Sequence, residues 1–126
     1  MENILVDSDI MIDYLRGFEP SRIFFRSAFE KGSLYTSVIN VAEIYGGKDT
    51  RKPAKENAIK NFLTNFQIAV TTPTIAKSAG MLKRDFDMPF ADAIVAATAL
   101  EYNFKLATRN TKHFNKIRGL NILKPY

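Results

Sequence analysis

The segment ILVD, residues 4–7, places an acidic residue directly after a short apolar run. An apolar run of this length that ends in polar residues predicts a buried β-strand over residues 3–7. Two further acids, Glu43 and Asp92, also lie at the edges of apolar segments. We therefore expect three carboxylates at positions where the chain would otherwise bury hydrocarbon.

A carboxylate removed from water is costly unless a cation or hydrogen bonds compensate for it. No lysine or arginine recurs beside Asp7, Glu43 and Asp92. A shared divalent metal ion is the simplest explanation, and it indicates phosphoryl-transfer chemistry. Each acid also has a simpler interpretation: Asp7 as a turn or cap residue, Glu43 as a solvated helix residue, and Asp92 as an acid that complements a helix dipole.

The composition is that of an ordinary globular protein with a basic surplus. The 126 residues fit one domain, 1–126, and the formal net charge of +5 favours polyanionic partners such as RNA. The absence of cysteine excludes disulfides, thiolate zinc sites and cysteine nucleophiles. No apolar run is long enough for a membrane span, and the start of the chain lacks the features of a secretion signal. We therefore expect a cytoplasmic protein with no membrane contact.

Short apolar strands alternate with helices along the chain. The predicted strands are residues 3–7, 34–36, 68–70, 105–108 and 121–123. The predicted helices are one capped by Ser8 and closed by Gly17, one capped by Ser37, and others over about 20–31, 53–66, 73–86, 89–102 and 112–115. This alternation predicts an α/β fold with a short, mostly parallel central sheet of four or five strands covered on both faces.

Ligands of open parallel sheets bind beyond the carboxyl ends of the strands. Asp7 ends strand one, Glu43 lies in the helix after strand two, and Asn110 follows strand four. These three side chains should therefore approach one edge of the sheet. Asp92 lies near the first turn of its helix and joins them if that helix begins at the same edge.

The sequence resembles PIN-domain ribonucleases, in particular the VapC-type toxins of toxin–antitoxin pairs. Four blocks carry the resemblance in family order: ILVDSDIMIDYLRG (4–17), TSVINVAEIYGG (36–47), ADAIVAATAL (91–100), and LATRN (106–110) with His113 and Phe114. The resemblance implies a PIN-like three-layer α/β/α sandwich with strand one between strands two and four. It also implies an endoribonuclease dependent on Mg²⁺ or Mn²⁺, with a cognate VapB-type antitoxin and a second copy of the chain as partners.

By position, Asp7, Glu43 and Asp92 match the family's three principal acids, and Asn110 matches a fourth position that is often Asp. We interpret all four as catalytic. Asp7 and Asp92 would be the main metal ligands, while Glu43 would share in metal binding and orient or deprotonate the attacking water.

The neighbours of these acids have supporting roles in this interpretation. Thr108 would support the site together with the Asn110 amide, and Arg16 and Arg109 are candidates to bind RNA phosphate. Asp13 is interpreted as an exposed partner for a nearby arginine, Asp9 has no firm role, and His113 is interpreted as structural.

Two other functions are compatible with parts of the sequence. The pattern Asp7-x-Asp9 after an apolar strand is also found in haloacid-dehalogenase-like phosphatases, although Met11 stands where that motif has Thr or Val. A catalytically weak or inactive PIN-like module that binds RNA or protein is the other alternative, because Asn110 lacks the charge of the usual acid.

Overall fold

The computed structural model describes residues 2–126, within which the chain forms five strands and seven α-helices. The strands are β1 (Asn3–Val6), β2 (Ser33–Ser37), β3 (Gln67–Ala69), β4 (Lys105–Ala107) and β5 (Ile122–Leu123). The helices are α1 (Ser8–Leu15), α2 (Glu19–Lys31), α3 (Val38–Tyr45), α4 (Pro53–Leu63), α5 (Pro73–Phe86), α6 (Phe90–Tyr102) and α7 (Thr111–Phe114). A 3₁₀ helix, Lys48–Arg51, precedes α4.

The five strands form one sheet in the order β3-β2-β1-β4-β5, and every neighbouring pair is parallel. The predicted α/β fold is confirmed, with a sheet that is entirely rather than mostly parallel. β1 lies at the centre between β2 and β4, as the family resemblance implied. The carboxyl ends of these three strands are therefore adjacent, and they deliver Asp7, Ser37 and Thr108 to one edge of the sheet.

Two hydrophobic clusters cover the two faces of the sheet. Leu5 of β1 belongs to a cluster formed with α5 and α6, whereas Ile4 and Val6 belong to one formed with α1, α2 and α4. This division follows from the alternation of side chains along a strand. The result is the expected three-layer sandwich, in which no helix of residues 2–126 has the length and apolarity to cross a bilayer.

Most of the aromatic side chains of the first half of the chain pack against one another. The ring of Phe25 is fully buried and contacts Tyr14, Phe29, Phe62 and Phe66 with centroids 5.2–6.0 Å apart. The contacts with Tyr14, Phe62 and Phe66 are edge-to-face, and pairs of this kind add stability beyond the burial of their surface. The packing fixes α1, α2 and α4 relative to one another, and hence the side of the site that α1 supplies.

The boundaries of several elements differ from the sequence prediction. Asp7, not Ser8, is the N-cap of α1, because its own carboxylate accepts a hydrogen bond from the Ser8 amide. Helix α4 ends at Leu63, so Phe66 lies beyond it, although its side chain is buried as expected. The predicted cap at Ser37 is confirmed, since its hydroxyl accepts from the amide of Asn40.

Candidate active site

Asp7 is the buried centre of the site. Its side chain is only 6% exposed, and three donors surround it. Oδ1 accepts from the Ser8 amide at 2.9 Å and from Asn40 Nδ2 at 3.1 Å, while Oδ2 accepts from the Thr108 hydroxyl at 2.9 Å. Burial raises the pKa of Asp7 to about 7, with a further contribution from the negative charge of Asp9. Hydrogen bonds hold this carboxylate in place, and no lysine or arginine of residues 2–126 forms an ion pair with it.

Glu43 is joined to Asp7 through a single amide. Nδ2 of Asn40 lies 3.1 Å from Oε1 of Glu43 and 3.1 Å from Oδ1 of Asp7, so its two hydrogens serve the two acids. The Ser8 hydroxyl also donates to Glu43 Oε1 at 2.9 Å. The expectation that all three acids are buried is wrong for Glu43, which is exposed on α3. Its carboxylate is therefore oriented at the surface beside a buried one.

Asn40 is a residue of the site that the sequence analysis did not select. Its side chain is fully buried, and its Oδ1 accepts from the Ser37 hydroxyl at 2.8 Å. The available signal was an amide inside the apolar run of α3, three residues before Glu43 and so on the same helical face. A buried amide at that position requires partners, and here the partners are the candidate acids.

Asp9 is a fourth acid at this edge of the sheet. Its Oδ2 accepts from the Arg109 amide at 3.1 Å and lies 3.4 Å from the Thr108 hydroxyl, which also contacts Asp7. Burial raises its pKa above the ordinary value. Thr108 therefore lies between two acids, and its role as a supporting hydrogen-bond donor is consistent with its position.

Asp92 approaches the site from the first turn of α6. Its negative charge contributes to the raised pKa of Asp7, but no hydrogen bond joins the two side chains. Instead, Oδ2 of Asp92 lies 2.6 Å from Nδ1 of His113. The helix thus brings Asp92 to the edge that Asp7 and Glu43 occupy, which the sequence alone left open.

Asn110 does not reach the acids directly. Its side-chain amide lies 2.7 Å from Nδ1 of His113, and its backbone N–H donates to the Thr108 hydroxyl at 3.0 Å. We interpreted Asn110 as a catalytic residue whose amide supports the site together with Thr108. The Asn110 side chain contacts His113 instead, and His113 in turn contacts Asp92. Asn110 is therefore linked to the acids through His113 and not by a hydrogen bond of its own side chain.

The two candidate phosphate-binding arginines have different surroundings. Nε of Arg109 lies 3.0 Å from Oδ2 of Asp13, which also accepts from the Tyr126 hydroxyl at 2.7 Å. Asp13 is therefore an arginine partner, as we interpreted it, but its side chain is largely buried rather than exposed. Arg16 is exposed and lines a cavity of about 140 Å³ beside Glu43. The other side chains of this cavity include Ile12, Leu15, Ile44, Lys55 and Ile59.

The family model of the PIN domain matches residues 4–120. This chain belongs to the PIN-domain family. It is 36% identical over 116 residues to ribonuclease VapC10 of Mycobacterium tuberculosis, covering 88% of this chain and 85% of that protein. It is 30% identical over 131 residues to ribonuclease VapC1 of Methanocaldococcus jannaschii, covering 94% of this chain and 85% of that protein.

Solved structures share the fold of this PIN domain. A toxin–antitoxin complex from Klebsiella pneumoniae matches with a TM-score of 0.83 and 28% identity, covering 98% of both chains. VapBC2 from Rickettsia felis, bound to a DNA fragment from its promoter, matches with a TM-score of 0.81 and 17% identity, covering 96% of this chain and 97% of that one. At 17% identity, the similarity to the Rickettsia felis structure shows a shared fold only.

The donor set of this PIN domain suits a hard divalent cation. Mg²⁺ takes oxygen ligands, keeps several waters and needs only one or two carboxylates, and Asp7 and Glu43 supply carboxylates side by side. A cation would also favour the charged form of Asp7, whose raised pKa reflects burial near other acids. Within residues 2–126, however, no three His, Asp or Glu side chains lie close enough together to form a metal site as they stand. Metal binding by Asp7, Asp92 and Glu43 remains a prediction.

Proposed function

We propose that this PIN domain is an endoribonuclease toxin that cleaves RNA phosphodiester bonds with the help of Mg²⁺ or Mn²⁺. The observation that carries the proposal is the buried Asp7 carboxylate, which lies near Glu43, Asp9 and Asp92 and forms no ion pair with a basic side chain of residues 2–126. The names of the VapC ribonucleases that it resembles support the same reaction.

Asp7 and Asp92 would be the main ligands of the cation and Glu43 would share in its binding, since all three present carboxylates at the carboxyl edge of the sheet. When bound, the cation supplies positive charge that stabilises the phosphate in the transition state and makes nearby water more acidic. Glu43 is exposed and is held by Ser8 and Asn40, so it can accept a proton from the attacking water. Asn40 keeps Glu43 beside Asp7, and Thr108 keeps Asp7 in its orientation.

Arg16 would bind the RNA phosphate, because it is exposed and lies in the cavity that Glu43 also lines. Arg109 is a weaker candidate in this conformation, since Asp13 already engages its guanidinium. The net charge of +5 adds a general attraction for RNA. We propose that the protein acts in the cytoplasm, on cytoplasmic RNA.

We further propose that a VapB-type antitoxin inhibits the protein and that the chain forms a homodimer. Support for the antitoxin comes from structural relatives described as toxin–antitoxin complexes, one of them 28% identical to this chain. The family match is to the PIN domain and gives no support to the haloacid-dehalogenase-like alternative.

The test is an RNA cleavage assay with purified, antitoxin-free protein. Structured RNA should be cut in the presence of Mn²⁺, and EDTA should stop the reaction. The Asp92→Asn variant should remain folded and bind RNA but lose cleavage. Binding of RNA without cutting by the wild type would reject the nuclease proposal, and unchanged cutting by Asp92→Asn would remove Asp92 from the site.

A further inference from the structure

His113 and Asp92 form a close contact between two helices. Nδ1 of His113, on α7, lies 2.6 Å from Oδ2 of Asp92, on α6. Within residues 2–126 this is the only hydrogen bond that the Asp92 side chain makes. One carboxylate oxygen of Asp92 is therefore held by an imidazole, and the other has no hydrogen-bond donor among residues 2–126.

The chemistry of this contact defines the state of the imidazole. An ionised carboxylate only accepts hydrogen bonds, so Nδ1 of His113 must carry the hydrogen that it donates to Asp92. Nδ2 of the Asn110 amide is placed 2.7 Å from the same Nδ1, and the oxygen and nitrogen of such an amide are assigned from its hydrogen bonds. Beside a protonated Nδ1 this amide must present its oxygen rather than its nitrogen, because two donors repel. Nδ1–H is then shared by Asp92 and Asn110, and Asn110 acts on the site through His113.

We infer that His113 is a positioning residue that holds Asp92 in the orientation in which its free oxygen binds the divalent cation. The inference rests on the proposed function, since it assigns a residue to the cation site of that function. It also gives Asn110 a role: its amide holds the ring of His113, and the ring holds Asp92. No charged fourth acid is needed for this role.

The surroundings of His113 do not indicate a role in packing. Its side chain is 47% exposed, whereas the next residue, Phe114, is fully buried and anchors α7 in the core. Nε2 of His113 makes no hydrogen bond within residues 2–126. Nδ1 alone therefore joins the ring to the polar groups of the site.

Asp92 needs this support because its helix alone does not fix its side chain. Asp92 lies in the first turn of α6, and its side chain is 18% exposed. The backbone of α6 is well anchored, since Ala93, Ala96 and Ala97 are buried against the sheet. A carboxylate on such a helix keeps its rotational freedom until a partner fixes it. Partners that orient a metal-ligating carboxylate typically change metal affinity by about 10–100-fold when they are removed.

The experiment compares three substitutions at one position. In His113→Asn the amide nitrogen replaces Nδ1, whereas in His113→Gln it replaces Nε2, and His113→Ala removes both. Mn²⁺ alone is titrated into each folded protein, and free Mn²⁺ is followed by electron paramagnetic resonance. Asn115→Ala, an exposed neutral change at the end of α7, is the matched control.

We expect His113→Ala and His113→Gln to weaken Mn²⁺ binding by about tenfold or more, while His113→Asn stays within about threefold of the wild type. In RNA cleavage, saturating Mn²⁺ should restore kcat in His113→Ala with little change in the KM for RNA. A loss of packing would not be reversed by added metal. It would also not leave Mn²⁺ affinity near that of the wild type in His113→Asn while lowering it in His113→Gln.

Two outcomes would overturn the inference. Equal Mn²⁺ affinity in all three variants and the wild type would show that His113 does not position a ligand. An equal loss of Mn²⁺ affinity in His113→Asn, His113→Gln and His113→Ala would show that the imidazole ring as a whole is required and not its Nδ1 atom alone. If His113→Ala fails to fold, the difference in Mn²⁺ affinity between His113→Asn and His113→Gln still tests the inference. Failure of the wild type to bind Mn²⁺ would instead reject the proposed metal-dependent function, and the inference with it.

Discussion

Thr108 donates its hydroxyl to Oδ2 of Asp7 at 2.9 Å, although 101 residues separate the two in the chain. The contact follows from strand register: Val6 pairs with Ala107 in the parallel ladder between β1 and β4, so the next residue of each strand emerges at the same edge. The Asp7 amide also donates to the Ala107 carbonyl at 3.0 Å. The buried carboxylate is therefore held by its neighbours in the sheet before any cation binds.

The burial of Asp7 predicts a pH-dependent stability. Its pKa is raised from 3.8 to about 7, so between these values the folded state binds more protons than the unfolded state. In metal-free buffer the contribution of Asp7 to the free energy of unfolding of the wild type should therefore fall as pH rises from about 4 to about 7, by up to roughly 4 kcal/mol. Asp7→Asn removes the pH-dependent contribution of this carboxyl group. The free energy of unfolding of the variant, relative to that of the wild type, should therefore increase from about pH 4 to about pH 7 and level off at higher pH.

Urea denaturation at several pH values measures the effect. Glu30→Gln, a change at an exposed acid of α2, is the control and should follow the wild type. A constant stability difference between Asp7→Asn and the wild type from pH 4 to pH 8 would contradict the burial argument.

Metal binding should stabilise the fold at neutral pH. A ligand that binds only the folded state at one hundred times its dissociation constant adds about 2.7 kcal/mol to the free energy of unfolding. We expect Mg²⁺ or Mn²⁺ to raise the Tm of the wild type and to leave that of Asp7→Asn unchanged, because the variant lacks the central carboxylate. Differential scanning fluorimetry with and without EDTA measures both, and an equal rise in the two proteins would place the cation elsewhere.

Asn40 should contribute strongly to stability as well as to activity. Asn40→Ala leaves the buried Asp7 without one of its three donors and separates it from Glu43, which should cost about 1–3 kcal/mol. Asn40→Asp should cost more at pH 8, because it places a third negative charge between two acids. Asn57→Ala, at an exposed amide of α4, is the control for denaturation at the same pH. Equal stability of Asn40→Ala and Asn57→Ala would show that the bridge is not required.

Glu43→Gln should separate catalysis from stability. The glutamine oxygen can still accept from Ser8 and Asn40, and the side chain is exposed, so the free energy of unfolding should change by less than about 0.5 kcal/mol. Cleavage should fall roughly a hundredfold or more, because an amide cannot take a proton from water. Rates of RNA cutting at saturating Mn²⁺ measure this, with Glu56→Gln on α4 as the control. Retained cleavage by Glu43→Gln would assign the base to another residue.

Much of the site's location could be predicted from the sequence. An apolar strand that ends in Asp7 and an apolar helix that carries Glu43 are local patterns, and the order of strands and helices makes their convergence at one edge a consequence of parallel topology. The contacts among the side chains could not be predicted. Asn40 looked like one polar residue in an apolar run, and the side chain of Asn110 meets His113 instead of the acids.

The sequence by itself determined the fold class and the approach of Asp7 and Glu43 to the carboxyl edge, because hydrophobic periodicity and the order of elements can be read directly from the chain. The family resemblance implied the central position of β1, whereas the arrival of Asp92 at the same edge was decided by how α6 packs. Only the tertiary structure decided which acids lose water and which donors hold them. Asp7 is buried and Glu43 is exposed although both follow apolar runs, and that difference depends on how β1, β2 and β4 align and on how α3 and α6 pack against them. The burial of a carboxylate and its hydrogen bonds to residues far away in the chain depend on tertiary packing. They therefore cannot be read from any single segment of the sequence.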